Sequence, residues 1–172
     1  MFRCFEKDKF YLPQIEGYEQ MPQNSNNGIY VESIFEVLKD NNYFLYSMYK
    51  QDEKMFAIFI QQYSYPSKNN EYWFHTYELP VANFNKVCSS NIQIHKQHNE
   101  IYIFDLDTYK KYRRKGHASK LITLYKQFAD TLDISTLKGE ILPDSDIGYE
   151  NLKLFYEKNG FIVNGYDIIF SK

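Results

Sequence analysis

Ala118, Leu121, Ile122, Tyr125, Phe128, Ala129 and Leu132 follow an i, i+3, i+4, i+7 rhythm, which places them on one face of a long amphipathic helix. The same spacing predicts a helix over residues 29–39, after the loop Gln23-Asn24-Ser25-Asn26-Asn27-Gly28, and another over residues 146–158, where Asn159-Gly160 offers a left-handed residue to end it. Strand-like runs occupy residues 43–49 and 55–63, and the polar turn 50–54 between them predicts a β-hairpin. Residues 72–77, 101–107, 136–142, 161–163 and 166–170 are the remaining strand candidates, with Pro143 closing the run before it. The stretch 64–99 is the least regular. Pro66-Ser67-Lys68-Asn69-Asn70 reads as a turn, and Pro80 and Ser89-Ser90-Asn91 are expected to break the rest of it into short pieces. Strand–helix–strand–helix–strand order in the C-terminal half predicts an α/β fold around a mixed sheet.

Composition narrows the class. With 172 residues the chain suits one domain with a substantial core, and 44% apolar with 24% charged residues excludes disorder and a coiled coil. A net charge of -2 provides no global positive field for nucleic acid or a membrane surface. The 17 tyrosines and 14 phenylalanines would suit an aromatic-lined cleft, and equally a biased composition. Two cysteines, Cys4 and Cys88, make neither a disulfide scaffold nor a paired metal-ligand spacing. The opening Met1-Phe2-Arg3-Cys4 holds no apolar run of signal-peptide length, and no segment approaches the roughly 20 apolar residues of a membrane span, so a cytoplasmic protein without membrane association is expected. His95-x-x-His98 lacks the Cys or carboxylate pattern that would complete a metal site, and no metal is expected.

The chemistry-bearing stretch is Tyr112-Arg113-Arg114-Lys115-Gly116-His117-Ala118, between a strand and the long helix. A helix start leaves its first amides unpaired and carries partial positive charge. No Asp, Asn, Ser or Thr stands just before this helix to cap it, Gly116 allows close backbone approach, and three cations flank it. A phosphate-type anion would satisfy those amides. A solvated basic turn, or a small nucleic-acid patch over residues 110–115, would use the same residues.

Arg113-x-x-Gly116-x-Ala118 in this setting resembles the coenzyme A loop of the GNAT superfamily of acyl-CoA-dependent N-acyltransferases, Arg/Gln-x-x-Gly-x-Gly/Ala. Further on, Leu154-Phe155-Tyr156-Glu157-Lys158-Asn159-Gly160-Phe161 resembles that superfamily's second signature, a helix carrying a Tyr and ending in Gly-Phe. The likeness covers roughly residues 99–163, while residues 1–98 fit an N-terminal helix and hairpin with a variable insertion. It implies a single N-acetyltransferase domain over residues 1–172, with a mixed, mostly antiparallel central sheet flanked by helices. It implies acetyl-CoA (coenzyme A) as co-substrate, no metal, and an amine-bearing acceptor that attacks the thioester directly in the gap between the fourth and fifth strands.

The resemblance also assigns roles. Main-chain groups of Leu106, Asp107 and Thr108 would pair with the pantetheine arm. Arg113 and the amides of Arg114, Lys115, Gly116, His117, Ala118 and Ser119 would hold the pyrophosphate, and Tyr156 would protonate the departing thiolate. Family members often carry a base four or six residues before the position of Thr108; here Phe104 and Tyr102 stand there. Asp105 and Asp107 point to the opposite face unless a bulge shifts the register. They are the catalytic candidates for polarising an amine or recognising a cation, or else strand-end residues bonded to nearby turns. Glu100, Glu140 and His75 are outside candidates. Tyr149 replaces the Asn often found seven residues before the motif Tyr, and Asn151 is the nearby cofactor candidate. Two alternatives stay open: a non-catalytic acyl-CoA-binding regulator, suggested by the missing base, and a nucleic-acid module on the basic loop, which the acidic net charge disfavours. The resemblance allows a homodimer. The acceptor is not legible; specificity is expected to come from residues 10–30 and 64–99.

Overall fold

A computed structural model describes residues 43–63, 70–79, 85–143 and 146–172. The helix expected over residues 29–39 and the expected specificity segment 10–30 lie outside these residues. Within them the chain forms β1 (Tyr43–Gln51), β2 (Lys54–Tyr63), β3 (Asn70–Leu79), β4 (Lys86–His95), β5 (Glu100–Thr108), α1 (His117–Thr131), β6 (Thr136–Glu140), α2 (Tyr149–Lys158), β7 (Ile162–Asn164) and β8 (Asp167–Ser171). The strands make one eight-stranded sheet in the order β1-β2-β3-β4-β5-β6-β8-β7. Every neighbour pair is antiparallel except β5 and β6. A parallel pair cannot be joined by a hairpin, and α1 is the crossover that joins this one.

The first hairpin turns on Asp52 and Glu53, with φ of 48° and 61°. Two left-handed residues in a two-residue turn match the right-handed twist of the strands they join. Along β2, Phe56, Ile58 and Ile60 face the helix side of the sheet, while Ala57 and Phe59 face the other side and meet Tyr77. The apolar face of α1 lands as its spacing predicts: Leu121, Ile122, Tyr125, Phe128 and Ala129 are buried. They share a core with Ile92, Ile94, Ile101, Ile103 and Leu137 from the sheet. Tyr156 and Phe161 belong to the same cluster, so α2 covers the same face as α1.

Three expectations need correction. Ser89-Ser90-Asn91 does not break the chain; it is the middle of β4. Two of its polar groups find partners across the sheet: the Ser90 hydroxyl donates to the Asp105 carbonyl, and the Asn91 amide donates to Glu71 at 2.8 Å, while the Asn91 Oδ1 is buried without a partner among the described residues. A sheet interior tolerates polar groups that find partners. Consequently residues 64–99 are not simply a long insertion, since β3 and β4 lie within them as inner strands. The last helix begins at Tyr149 rather than at residue 146, and β6 ends at Glu140, leaving Leu142 exposed. The end of α2 follows the sequence: Gly160 has φ 82°, and the Phe161 amide bonds back to the Tyr156 carbonyl at 3.0 Å.

Two irregularities shape the centre. β5 and β6 pair from Glu100↔Thr136 only as far as Ile103↔Gly139, beyond which β5 has β4 on one side and, among the described residues, no strand on the other. Just there, Asn91 pairs with Asp105 and Ile92 with Ile103, so Phe104 is an extra residue, a β-bulge. Gly139 is the last residue before the strands part, and a Cβ on it would lie 2.7 Å from the Ile103 carbonyl oxygen. That neighbour is backbone and cannot step aside. Gly139→Ala is therefore expected to cost about 1–3 kcal/mol through overpacking, read as a drop of several degrees in melting midpoint. An unchanged midpoint would mean the strands part with room to spare.

Candidate active site

The parting strands open a gap in the sheet, and the chemistry-bearing residues gather round it. Pairing places Leu106 and Thr108 opposite Ser90 and Cys88 on the helix-covered face, where the Thr108 hydroxyl donates to the Cys88 sulfur at 3.2 Å. Asp105 and Asp107 pair with Asn91 and Ser89 on the other face. Simple alternation would have put these two carboxylates with buried Ile101 and Ile103. The bulge at Phe104 moves them to the face of Tyr102, the side on which the resemblance seeks a base, so the condition attached to them is met.

The two carboxylates differ. Asp107 stands 3.8 Å from the Arg113 guanidinium, an ion pair at the strand's end. For Asp105, partial burial and the Asp107 charge outweigh the pull of Lys86 and hold its carboxyl above the usual range. A carboxylate whose proton affinity is raised is the better proton acceptor near neutral pH. Of the outside candidates, Glu100 begins β5 at the end away from the gap and is engaged by Lys138 at 2.7 Å. His75 is buried, and desolvation with Lys86 nearby lowers it to about 4, which leaves it neutral. Glu140 ends β6 at the mouth of the gap and accepts from the Tyr102 hydroxyl at 3.1 Å.

Tyr156 approaches from the helix side. Its ring is 6% exposed and wedged edge-on against Phe155 and Phe161, at centroid distances of 5.0 and 5.6 Å. Among the described residues its hydroxyl has no hydrogen-bond partner. Burial foremost, then the charge of Asp105 and the neighbouring Cys88, push this hydroxyl up to about 12, against about 10 for an ordinary Tyr. Tyr156 therefore stays protonated through the neutral range and can act only as a donor. The charge of Asp105 is felt at this hydroxyl, so the two groups lie within electrostatic reach of each other.

The loop from β5 to α1 ends in Gly116, at φ 82° and ψ 2°, with no side-chain cap on the helix. Lys120 is the first helix amide with a backbone acceptor, the Gly116 carbonyl at 3.0 Å. The amides of Arg114, Lys115, Gly116, His117, Ala118 and Ser119 find none among the described residues. A Cβ on Gly116 would meet nothing within 4 Å beyond its chain neighbours, so the space beside this residue is open. Amides left open at a helix start are the kind of group that an anion can satisfy, and residues 114–119 are called the anion cradle below. Arg113 proves to be employed elsewhere: its Nε donates to the Thr108 carbonyl at 2.8 Å and its Nη1 reaches Asp146 at 3.4 Å. It ties the loop to the end of β5. The His117 side chain also turns inward, 2% exposed, and only its amide faces the cradle. Asn151 is exposed on the first turn of α2, while Tyr149 folds onto the β7–β8 turn through the Gly165 carbonyl.

No family model and no curated protein matches this sequence. Solved structures do. The chain is similar to nourseothricin acetyltransferase, with a TM-score of 0.50, 11% identity, and coverage of 76% of this chain and 88% of that one. It is also similar to a Bacillus anthracis str. Ames protein assigned as a streptothricin acetyltransferase and solved with acetyl coenzyme A (TM-score 0.49, 19% identity, 62% of this chain). The match spans 65% of that protein's length. A third is an acetyltransferase of the GNAT family from Staphylococcus aureus Mu50 (TM-score 0.47, 13% identity, 59% of this chain and 67% of that one). The likeness to nourseothricin acetyltransferase shows a shared fold, which in this chain is a mixed and mostly antiparallel sheet with helices packed on it.

Proposed function

We propose that this chain is an N-acetyltransferase that moves an acetyl group from acetyl-CoA to a primary amine. The observation that carries this reading is the parting of β5 and β6 beyond Ile103 and Gly139, next to a helix start whose first amides have no backbone acceptor among the described residues. The chain's own groups fit such a ligand. The open amides of residues 114–119, with the cations of Arg114 and Lys115 beside them, suit a pyrophosphate. The edge of β5 at Leu106 and Asp107, which has no strand beside it among the described residues, would offer main-chain groups to an amide-bearing arm, while the Thr108 carbonyl already accepts from Arg113. Acetyl-CoA, when bound, supplies an activated thioester.

The protein's part is proton management. Asp105, on the open face, takes a proton from the acceptor's ammonium so that its nitrogen lone pair is free. Tyr156, on the helix face, holds a proton at its hydroxyl for the leaving sulfur. Asp107, held by Arg113, keeps the strand end in place and raises the proton affinity of Asp105.

Acetyl-CoA is expected to raise the melting midpoint in a concentration-dependent way, because a ligand that binds only the folded state stabilises it by RT ln(1 + [L]/Kd), about 2.7 kcal/mol at 100 Kd. Screening amines with the loaded protein for thiol release then tests transfer. No shift at millimolar acetyl-CoA would defeat the reading. A shift without transfer to any amine tried would favour a non-catalytic acyl-CoA-binding protein instead.

A further inference from the structure

The anion cradle lies between β5 and α1, yet what holds its shape comes from the far side of the sheet. Arg114 has φ 62° and Gly116 φ 82°, so two left-handed residues flank Lys115. A non-glycine residue keeps such a conformation only when its surroundings over-determine it. The backbone of the loop cannot supply that determination, because its own amides are the ones left open.

Two bonds from β1 act at this point. Gln51 Nε2 donates to the Lys115 carbonyl at 2.7 Å, fixing the peptide between the two left-handed residues. The Tyr49 hydroxyl pairs with His117 Nδ1 at 2.6 Å, fixing the first residue of α1. Tyr49 and Gln51 are two residues apart on one strand and so present the same face. Tyr49 is itself held: its ring stacks on Phe56, its partner on β2, at 5.1 Å and 17°. Phe56 also packs against the His117 ring at 4.7 Å. The last residues of β1 thus reach the loop at two points.

We propose that Tyr49 and Gln51 are positioning residues for the anion cradle, holding residues 114–117 in the ligand-ready geometry before any ligand arrives. This rests on the functional reading above. A cradle that must be ordered at the moment of binding binds more weakly than one ordered in advance. Neither residue touches the ligand; each acts through a loop atom.

The test is calorimetric titration with coenzyme A at 25 °C of wild type, Gln51→Met and Tyr49→Phe. Each substitution keeps the shape of the side chain and deletes one hydrogen bond. Each is expected to weaken coenzyme A binding about tenfold, or about 1.4 kcal/mol, with the protein still folded at the temperature of measurement. Amide hydrogen exchange at residues 114–117 in the unliganded protein should speed up in both variants, while exchange along β6 and α2 stays as in wild type. A purely structural role would lower the melting midpoint and leave the affinity of the folded protein untouched; that result would overturn the proposal. So would loss of the folded state in both variants, since the bonds would then serve the sheet. If wild type itself fails to bind coenzyme A, the functional reading falls first. If wild type binds and both variants match it, only the positioning assignment falls.

Discussion

Tyr156→Phe is expected to leave acyl-CoA binding intact and to lower turnover by about 10²–10⁴-fold, the usual worth of general acid catalysis. The ring sits edge-on between Phe155 and Phe161, so its packing survives the change. What is lost is one hydroxyl that bonds to no group among the described residues, so no buried partner is stranded by its removal. The stability of the variant should therefore match wild type within a fraction of a kcal/mol. The loss should fall on kcat rather than on KM, because the proton matters as the thiolate forms and not before. With the hydroxyl pushed up to about 12, wild-type activity should show no alkaline limb from Tyr156 below about pH 11. Kinetics with a verified acceptor decide the matter: a phenylalanine variant turning over at the wild-type rate would make the hydroxyl a packing feature.

How much of this could be read from the chain alone depends on the range of the interactions. The long helix, the strand before it and the Gly160 stop were legible because their signals are local: a period, a run of β-formers, a residue that tolerates positive φ. The uncapped start of α1 was legible for the same reason, because no Asp, Asn, Ser or Thr stands just before it. What was illegible lies in cross-strand register. Nothing in Ile103-Phe104-Asp105 announces a bulge; it exists because Asn91 pairs with Asp105 while Ile92 pairs with Ile103. With it the face of Asp105 changes, and with that its candidacy as a base. Ser89-Ser90-Asn91 misled because the Ser90 hydroxyl and the Asn91 amide find partners in Asp105 and Glu71, residues remote in sequence. The partners of Arg113 within the chain were equally illegible, since its guanidinium bonds to Thr108 and pairs with Asp107 and Asp146. Tyr49 and Gln51 carried no mark at all, since their partners lie 68 and 64 residues away.

Gly116→Val should abolish measurable acyl-CoA binding at micromolar ligand, a loss of at least about 10²-fold or about 2.8 kcal/mol. Two effects converge. At φ 82° a β-branched side chain is strained, so the loop would abandon the conformation that lines up its amides. Were the conformation kept, the new side chain would stand in the open space beside this residue, where no protein atom beyond its chain neighbours lies within 4 Å of its Cβ. An anion would then lose several charge-assisted bonds at once, each worth about 1.5–3 kcal/mol. The same open space means that no protein contact is crushed, so the unliganded variant should fold and lose only the conformational strain, about 1–2 kcal/mol. Gly116→Asn separates the two effects, because Asn tolerates the left-handed region while still adding a Cβ and a polar tip. It should melt close to wild type and still bind acyl-CoA much more weakly, which assigns the loss to blocked approach rather than to strain. Wild-type affinity in the Asn variant would mean that the backbone at residue 116 is not where the anion sits, and the cradle would have to be moved along the loop.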